Sequence, residues 1–190
     1  MNEINAKKAA LRREVRTQIK LLPDAEKTAA SAAILAQTLH LPAFAAARTV
    51  MAYSALRTEP QTQALWEELW RQGKRLCLPV CSDTPGIMEA RLLAAAADLT
   101  QDRFGIPAPA ADAPVVAPQE IDLVIVPCVA CAADGRRLGK GGGYYDRYLR
   151  QTAATRVAWC FGAALRDDIV TEEHDLLMDI VVTEKEVYTI

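Results

Sequence analysis

Glycines and cationic residues are concentrated in one stretch of the chain, GRRLGKGGGYYDRYL, which covers residues 135–149. It contains five of the nine glycines together with four cationic side chains. Because glycine adopts positive φ readily, Gly139 and the run Gly141–Gly143 can turn successive N–H groups toward one point. A helix that begins near Tyr144 directs its positive end toward the same point. The stretch therefore predicts a cradle for a polyanion, in particular for phosphate groups.

Full positive charges at Arg136, Arg137 and Lys140 strengthen the prediction of an anion site. The stretch nevertheless matches neither of two common phosphate motifs. A P-loop requires Ser or Thr after its lysine, whereas Gly141 follows Lys140, and the dinucleotide motif requires a third glycine where Tyr144 stands. The alternative is a flexible connector, but such connectors are rich in Ser and Gly and are not bracketed by cations and aromatic residues.

The elements that must position this stretch alternate along the chain between helical and β-rich patterns. Apolar residues recur at helical spacing over residues 5–22 and 24–40, with Pro23 between them. Further helices are predicted at 61–72 and 144–152. Short β-rich runs occur at 49–53, 75–80, 87–93, 121–126, 156–161 and 179–183.

This alternation predicts the fold class. The run Leu123–Val126 is apolar on both faces, which is typical of a strand covered by helices on both sides. We therefore predict a single α/β domain over residues 1–190, with a mainly parallel β-sheet sandwiched between helices and two N-terminal helices. The Ala- and Pro-rich residues 94–118 are interpreted as a surface excursion. Residues 135–149 follow the strongest strand candidate, and ligands of such sheets bind beyond the carboxyl ends of the strands.

Composition excludes several classes of protein. The 190 residues carry a formal net charge of -2, whereas general nucleic-acid and anionic-membrane binders favour strongly basic surfaces. No apolar run approaches the roughly 20 residues that cross a bilayer. The start of the sequence lacks the apolar stretch of a secretory signal. We expect a cytoplasmic monomer that binds small molecules, with no nucleic-acid or membrane partner.

The chain has five cysteines, an odd number that, without a secretory signal, indicates reduced thiols. Cys128 and Cys131 form a CxxC pair, and Cys77 and Cys81 are candidates for the other half of a zinc site. The spacing is loose for such a site. We interpret the cysteines as small buried residues, with structural zinc or a redox role as the alternative.

Residues 137–149, RLGKGGGYYDRYL, closely resemble the signature R-L-G-x-G-x-G-Y-Y-D of the 5-formyltetrahydrofolate cyclo-ligases, also called 5,10-methenyltetrahydrofolate synthetases. The resemblance extends over nearly the whole chain in the family's order. The further matching segments are Lys8–Arg12 (K-x-x-L-R), Glu59–Thr62 (E-x-x-T), Gly105–Pro109 (G-I-x-x-P), Asp122–Pro127 (D-L-x-x-x-P) and the acidic segment with His174, Asp175 and Asp179. Departures from the family pattern stand at Pro60, Cys128 and Cys131, and none of them removes a charged group.

The resemblance implies a site for ATP and Mg²⁺ as cofactors. By spacing alone, Lys8 and Arg12 share one helix face and form a solvated basic stripe; the resemblance implies instead that both reach ATP phosphates. The residues implied to bind ATP are Lys8, Arg12, Arg137, Leu138, Gly139, Lys140, Gly141, Gly142, Gly143, Tyr144 and Tyr145. Asp146 and Asp175 are implied to hold Mg²⁺, although by themselves they fit a helix-dipole contact and a cap or surface charge.

For the second substrate the resemblance implies a reduced folate. By its position alone Glu59 fits an exposed loop acid, whereas the resemblance implies that it contacts the pterin. The residues implied to bind folate are Ser54, Glu59, Lys140, Gly141, Gly142, Gly143 and Tyr144. The residues implied to act in catalysis are Arg137, Lys140 and Tyr144.

The implied reaction is the ATP-dependent ring closure of 5-formyltetrahydrofolate to 5,10-methenyltetrahydrofolate, with release of ADP and phosphate. From the chemistry we predict that this reaction proceeds through a phosphorylated formyl oxygen. Two alternatives stay open from the residues alone. One is a sensor that binds a phosphorylated metabolite without turnover and needs no metal at Asp146 and Asp175. The other is a divergent family member that acts on different folates or on thiamin-related compounds.

Overall fold

The computed structural model describes residues 3–102 and 105–190, so Arg103 and Phe104 of the expected excursion lie outside the described residues. The helices are α1 (Glu3–Leu21), α2 (Asp24–Leu39), α3 (Pro42–Ala46), α4 (Gln63–Arg71) and α5 (Tyr144–Tyr148). The strands are β1 (Thr49–Met51), β2 (Arg75–Cys81), β3 (Met88–Leu92), β4 (Leu99–Gln101), β5 (Pro107–Pro109), β6 (Val115–Val116), β7 (Leu123–Pro127), β8 (Ala130–Cys131), β9 (Arg137–Leu138), β10 (Thr155–Trp159), β11 (Ile180–Val182) and β12 (Val187–Thr189).

A central sheet organises the described residues, with its eight strands in the order β12-β11-β10-β7-β1-β2-β3-β6. The inner strands β11, β10, β7, β1 and β2 run parallel. The strands toward the two edges, β12, β3 and β6, pair antiparallel with their neighbours. All five residues of β7 are buried, as expected for a strand that is covered on both faces. The predicted α/β domain with a mainly parallel sheet and flanking helices is confirmed.

The two predicted N-terminal helices form, and α1 and α2 end within two residues of the expected bounds. Helix α1 buries Leu11, Val15 and Ile19, which recur every four residues and therefore lie on one face. Lys8 is buried on the same face, and burial of its charge requires an ionic partner. In the part of the chain that the structure describes, no helix has the length and apolarity that a bilayer crossing demands.

Two local expectations are wrong. The segment 94–118 is more than a surface excursion, because β4 and β5 form a hairpin and β6 extends the central sheet. Ala108 and Val116 of this segment are buried. The helix expected at 144–152 ends at Tyr148 and continues as a 3-10 turn. Helix α3 was not expected at all, since its five residues are too few to show a periodic pattern.

Candidate active site

A cavity of about 730 Å³ opens at the carboxyl ends of β1, β2 and β7, where Tyr53, Cys81 and Pro127 line it. This is the edge at which parallel sheets bind their ligands. Helix α1, the hairpin β4–β5 and the glycine loop (residues 139–143) complete its wall. Every residue predicted for the site lines this one cavity: Lys8, Arg12, Ser54, Glu59, Arg137, Leu138, Gly139, Lys140, Gly141, Gly142, Gly143, Tyr144, Tyr145, Asp146 and Asp175.

The glycine loop needs its glycines for two different reasons. Gly141 and Gly143 have φ angles of 99° and 66°, in the region that glycine adopts without strain. Gly139 has no positive φ, but a Cβ atom there would lie 2.8 Å from Nη1 of Arg137. Arg12 Nε donates a hydrogen bond of 2.7 Å to the carbonyl oxygen of Gly139, which ties the loop to α1. The expected positive φ is therefore found at only part of the run, and close packing explains Gly139.

Oppositely charged side chains pair along one side of the cavity. Lys8 Nζ lies 2.6 Å from Asp175 Oδ2 and 2.9 Å from Glu172 Oε2. Arg137 Nη2 lies 3.0 Å from Asp146 Oδ1 and 3.1 Å from its Oδ2. Two predicted phosphate ligands thus neutralise the two predicted metal ligands. We call this group the charged wall: Lys8, Arg12, Arg137, Asp146, Glu172 and Asp175.

The ion pair of Lys8 and Asp175 keeps both groups charged. Burial acts to lower the pKa of Lys8, but hydrogen bonds and charge from Asp175 and Glu172 outweigh burial, and the pKa is raised. Burial acts to raise the pKa of Asp175, but the hydrogen bond from Lys8 and the backbone N–H of Glu172 outweigh it, and this pKa is lowered. Both shifts have the sign that stabilises the pair.

Arg137 is only 8% exposed, and contacts on several sides fix its side chain. Strand β9 places it opposite Cys131 of β8. Its Nη1 donates a hydrogen bond of 3.1 Å to the carbonyl oxygen of Pro127. Its guanidinium carbon lies 5.9 Å from the ring centroid of Tyr145, a cation–π distance. Together with the ion pair to Asp146, these contacts orient the guanidinium group before any ligand is bound.

Glu59 is 2% exposed, so the interpretation of Glu59 as an exposed loop acid, which its position alone allowed, is wrong. Its Oε2 accepts a hydrogen bond of 2.9 Å from the backbone N–H of Leu56. Its Oε1 lies 2.7 Å from Lys140 Nζ, an ion pair without hydrogen-bond geometry. Burial, and next the charge of Glu59, raise the pKa of the hydroxyl groups of Tyr53 and Tyr145. Glu59 therefore places a carboxylate among phenol groups that stay neutral.

Another part of the cavity wall is apolar. We call it the apolar wall: Met88, Ile106, Pro107 and Ala108. The last three residues come from the hairpin β4–β5, and the hydroxyl group of Ser54 donates a hydrogen bond to the carbonyl oxygen of Pro107. Tyr144 lines the cavity as a half-buried ring. An apolar surface of this kind suits a flat heterocycle better than a phosphate group.

Several charged or polar residues line the cavity without having been assigned a role from the sequence, among them Arg147, Arg150, Glu172 and His174. Arg147 Nη1 donates a hydrogen bond of 3.1 Å to the carbonyl oxygen of Gly142. A Cβ atom at Gly86 would lie 1.8 Å from the same nitrogen. Arg147 therefore packs the turn between β2 and β3 against the glycine loop. Its place next to Asp146 in the signature was the available signal.

Arg136 departs from the prediction of a cationic cradle. Its Nε lies 2.8 Å from Asp134, and its guanidinium group donates hydrogen bonds to the carbonyl oxygens of Asp167 and Ile169. Arg136 is absent from the residues that line the cavity. Consecutive residues of an extended segment point to opposite sides, so only Arg137 reaches the cavity.

None of the five cysteines, all of which lie among the described residues, forms a disulfide bond, and four of them are buried, as expected for small buried residues. The sulfur atoms of Cys128, Cys131 and Cys160 lie within 4.8 Å of one another. Neither Cys77 nor Cys81 belongs to this group. Among the described residues, a zinc site that combines the CxxC pair with those two cysteines does not form.

A mainly parallel sheet that ends at a cavity with a glycine loop, paired charges and buried phenols defines an α/β protein with a cavity suited to small anionic molecules. Within that class the comparisons with known proteins are specific. The model of the 5-formyltetrahydrofolate cyclo-ligase family matches residues 4–184. The chain belongs to this family.

Individual relatives agree with the family assignment. The 5-formyltetrahydrofolate cyclo-ligase of Escherichia coli is 35% identical over 152 residues, which span 77% of this chain and 84% of the relative. That of Mycolicibacterium smegmatis is 36% identical over 150 residues, or 73% and 74% of the two chains. The NMR structure of Aquifex aeolicus 5,10-methenyltetrahydrofolate synthetase has a TM-score of 0.85 at 28% identity, covering 96% of this chain and 92% of that one. The protein is therefore an enzyme, and the sensor alternative is set aside.

Proposed function

We propose that this enzyme closes 5-formyltetrahydrofolate to 5,10-methenyltetrahydrofolate in a reaction that requires ATP and Mg²⁺ and releases ADP and phosphate. The observation that carries the proposal is the convergence of every predicted ATP, folate and metal residue on one cavity of about 730 Å³. Small-molecule sites typically have volumes of roughly 300–1,000 Å³. The family membership supplies the substrate class, and in our proposal the cavity holds both substrates side by side.

The ion pairs of the charged wall support binding of a nucleotide together with a metal ion. Lys8 and Arg137 each hold a carboxylate, Asp175 and Asp146 respectively. A triphosphate offers new anions to the two cations, and Mg²⁺ offers a new cation to the two carboxylates. Every partly buried charge then keeps a partner when the ligands enter. The carboxylates fit Mg²⁺, which proteins usually hold through one or two carboxylates with phosphate oxygens and water, and which would neutralise phosphate charge.

Lys140 stands where the two substrates would meet. Its side chain is 44% exposed, whereas that of its partner Glu59 is 2% exposed. The ammonium group is therefore the mobile member of the pair and the carboxylate the fixed one. In our proposal Lys140 contacts the transferred phosphoryl group, and Glu59 accepts hydrogen bonds from the pterin. Ser54 and Tyr144 then border the folate.

The chemistry explains why ATP is needed. A formamide is a poor electrophile, and its oxygen is a very poor leaving group. Attack of the formyl oxygen on the γ-phosphorus releases ADP and forms a phosphate ester on an iminium-like carbon. The N10 nitrogen then attacks that carbon, loses its proton, and phosphate departs. The substrate's own oxygen is the nucleophile, so the protein's task is positioning and charge stabilisation by Arg137, Lys140 and the glycine loop.

A spectrophotometric assay tests the proposed reaction, because the methenyl product absorbs in the near ultraviolet. Purified protein with 5-formyltetrahydrofolate, ATP and Mg²⁺ is expected to produce this absorbance, and omission of ATP or addition of a chelator is expected to abolish it. Absence of any ATP-dependent signal would overturn the proposal. A signal seen only with a different reduced folate would favour the divergent-substrate alternative.

A further inference from the structure

A buried group of three thiols lies beside the cavity and plays no part in the proposed reaction. The thiol cluster consists of Cys128, Cys131 and Cys160, whose sulfur atoms lie within 4.8 Å of one another. The three residues are 6%, 0% and 1% exposed. Among the described residues, no histidine or carboxylate joins the cluster as a further ligand. The cluster thus offers three closely spaced sulfur ligands to a bound ion.

The strand register brings the three thiols together. Strand β10 pairs with β7 so that Trp159 lies opposite Pro127, and Cys160 and Cys128 are the residues that follow. Cys131 of β8, three residues after Cys128, forms a parallel bridge to Leu165, five residues after Cys160. The thiol of Cys128 donates to the carbonyl oxygen of Trp159 at 3.2 Å, which links the two strand ends. The backbone therefore holds the sulfur atoms close together without a cross-link.

The size and charge of the cluster select a kind of ion. Soft sulfur ligands prefer thiophilic ions, and sulfur atoms bound to one ion at about 2.3 Å stand roughly 4 Å or less apart, so small rotations of the side chains suffice. A structural zinc ion takes four ligands, one more than the cluster offers. Each thiol has one hydrogen bond within the cluster that lowers its pKa and one that raises it. Burial raises the pKa further, so all three pKa values lie well above the ordinary thiol value.

Residual charge decides between the thiophilic ions. Three thiolates on a monovalent or divalent ion leave a net negative charge, which is costly in a buried site. Three thiolates on a trivalent ion leave none. We propose that the thiol cluster is a three-coordinate binding site for a trivalent thiophilic metalloid, with arsenic(III) as its representative. Three As–S bonds form, three As–O bonds of arsenous acid break, and the three thiol protons leave in three water molecules, with no change of oxidation state.

A small cavity of about 110 Å³ offers an approach to the cluster. Cys128 lines it together with Glu59 and Lys140, which also line the main cavity. The cluster is also connected to Arg137. Cys131 lies opposite Arg137 in the strand register, and the carbonyl oxygen of Pro127, the residue before Cys128, accepts a hydrogen bond from Arg137. We therefore expect occupation of the cluster to disturb Arg137 and to inhibit turnover. This effect on turnover rests on the proposed function, whereas binding itself does not.

Native mass spectrometry of the full chain after incubation with arsenite tests the proposal directly. The expected adduct has the mass of one arsenic atom less three hydrogen atoms. An adduct of one arsenic and one hydroxyl group less two hydrogen atoms would show binding by only two thiols and would overturn the three-coordinate site. Absence of any adduct would overturn it as well. Neither outcome depends on whether the protein acts on folates.

Matched variants locate the adduct. In Cys160→Ser the three-thiol adduct is expected to fall to background and to be replaced by the hydroxyl-bearing form. Cys77→Ser removes a buried free thiol outside the cluster and is expected to leave the adduct unchanged. Persistence of the three-thiol adduct in Cys160→Ser would assign it to other cysteines. If this variant does not fold, X-ray absorption of the arsenic-loaded native chain decides: three sulfur neighbours are expected, and an oxygen neighbour contradicts the site.

Discussion

The charged wall and the apolar wall belong to the same cavity but are organised by different forces. The charged wall is held by ion pairs, both between residues far apart in sequence, such as Lys8 with Asp175, and within the signature, such as Arg137 with Asp146. The apolar wall is mostly the surface of the hairpin β4–β5, which the hydroxyl group of Ser54 holds to the loop after β1. A ligand must replace the ion-pair partners of the residues in the charged wall, whereas it only has to match the shape of the apolar wall.

This difference predicts two kinds of mutational effect. Changes on the charged wall remove charges that stabilise a transferring phosphoryl group, so they should lower turnover. Changes on the apolar wall remove contact area that the folate uses in both its ground and transition states, so they should mainly raise KM for folate. Variants that mix the two patterns would break the comparison.

The largest effect is expected for Arg137→Ala. The guanidinium group is already oriented by Asp146 and Pro127, and loss of a preorganised charge of this kind costs about 10³-fold in turnover. The measurement is kcat in the absorbance assay at saturating ATP and folate. Arg136→Ala is the matched control, because Arg136 does not line the cavity and should keep near-normal kcat. Equal losses in both variants would contradict the role of Arg137.

Next in size is Asp146→Asn, which removes one charge from the proposed Mg²⁺ site while preserving the shape of the side chain. Turnover should fall by roughly 10²- to 10³-fold, and the Mg²⁺ concentration required for half-maximal rate should rise. Titration of Mg²⁺ at fixed ATP measures both. Full activity of the variant at limiting Mg²⁺ would show that Asp146 is no metal ligand. Asp134→Asn, outside the cavity, serves as the control.

Glu59→Gln tests the junction between the two walls. The buried carboxylate is expected to contribute more to binding of the pterin than to binding of the nucleotide. In Glu59→Gln, kcat/KM for folate should therefore fall by about 10- to 100-fold, with little change in KM for ATP. Glu67→Gln on the exposed side of α4 is the control. A larger rise in KM for ATP than for folate would place Glu59 on the nucleotide side instead.

A pH-dependent effect is expected for Asp175→Asn. The native pKa of Asp175 is lowered, so its ion pair stabilises the fold above the ordinary carboxyl pKa of 3.8, and this stability is lost as the pH falls through the native value. Wild type should therefore exceed the variant by about 1–3 kcal/mol at pH 7, with the difference vanishing in acid. Urea unfolding of both proteins from pH 7 down to about pH 2, below the native pKa of Asp175, measures it. A difference that is constant with pH would argue against the ion pair.

The smallest effect is expected for Ile106→Ala on the apolar wall. Loss of its side-chain contacts should raise KM for folate about 3- to 10-fold and leave KM for ATP and kcat nearly unchanged. Leu21→Ala, at an exposed position at the end of α1, should change none of these constants. A fall in kcat that exceeds the rise in KM would show that the hairpin takes part in the transition state.

The charged wall was largely predictable from the sequence, and the apolar wall was not. The signature around Arg137 and Asp146 is contiguous, so its residues could be singled out without a structure. The partners of Lys8 lie 164 and 167 residues away. The resemblance singled out Asp175, whereas nothing in the sequence pointed to Glu172 or to the pairing of either carboxylate with Lys8. The hairpin strands β4 and β5 have three residues each and lie in an Ala- and Pro-rich segment, which hides any alternation. The expected monomeric state and cytoplasmic location stay predictions.

The burial of Glu59 shows the same limit. A polar loop after a short strand usually lies in solvent, so position alone favours an exposed acid, and only the resemblance implied a contact with the pterin. The local hydrogen bond from Leu56 and the ion pair with Lys140 that hold the buried carboxylate are seen in the structure alone. The fold class, in contrast, followed from the alternation of helices and strands and from the apolar run of β7. Patterns along the chain predict elements well, whereas contacts between distant residues decide which charges face a ligand.

The fate of the formyl oxygen tests the central claim most directly, namely that the charged wall positions ATP for transfer of its γ-phosphoryl group to the folate. The substrate is prepared with ¹⁸O in the formyl group and converted completely in unlabelled water with ATP and Mg²⁺. Mass spectrometry of the released inorganic phosphate is expected to find the label there, in proportion to product formed. Unlabelled phosphate from coupled turnover, with the label in water, would contradict phosphorylation of the formyl oxygen and the role assigned to Arg137, Lys140 and the glycine loop.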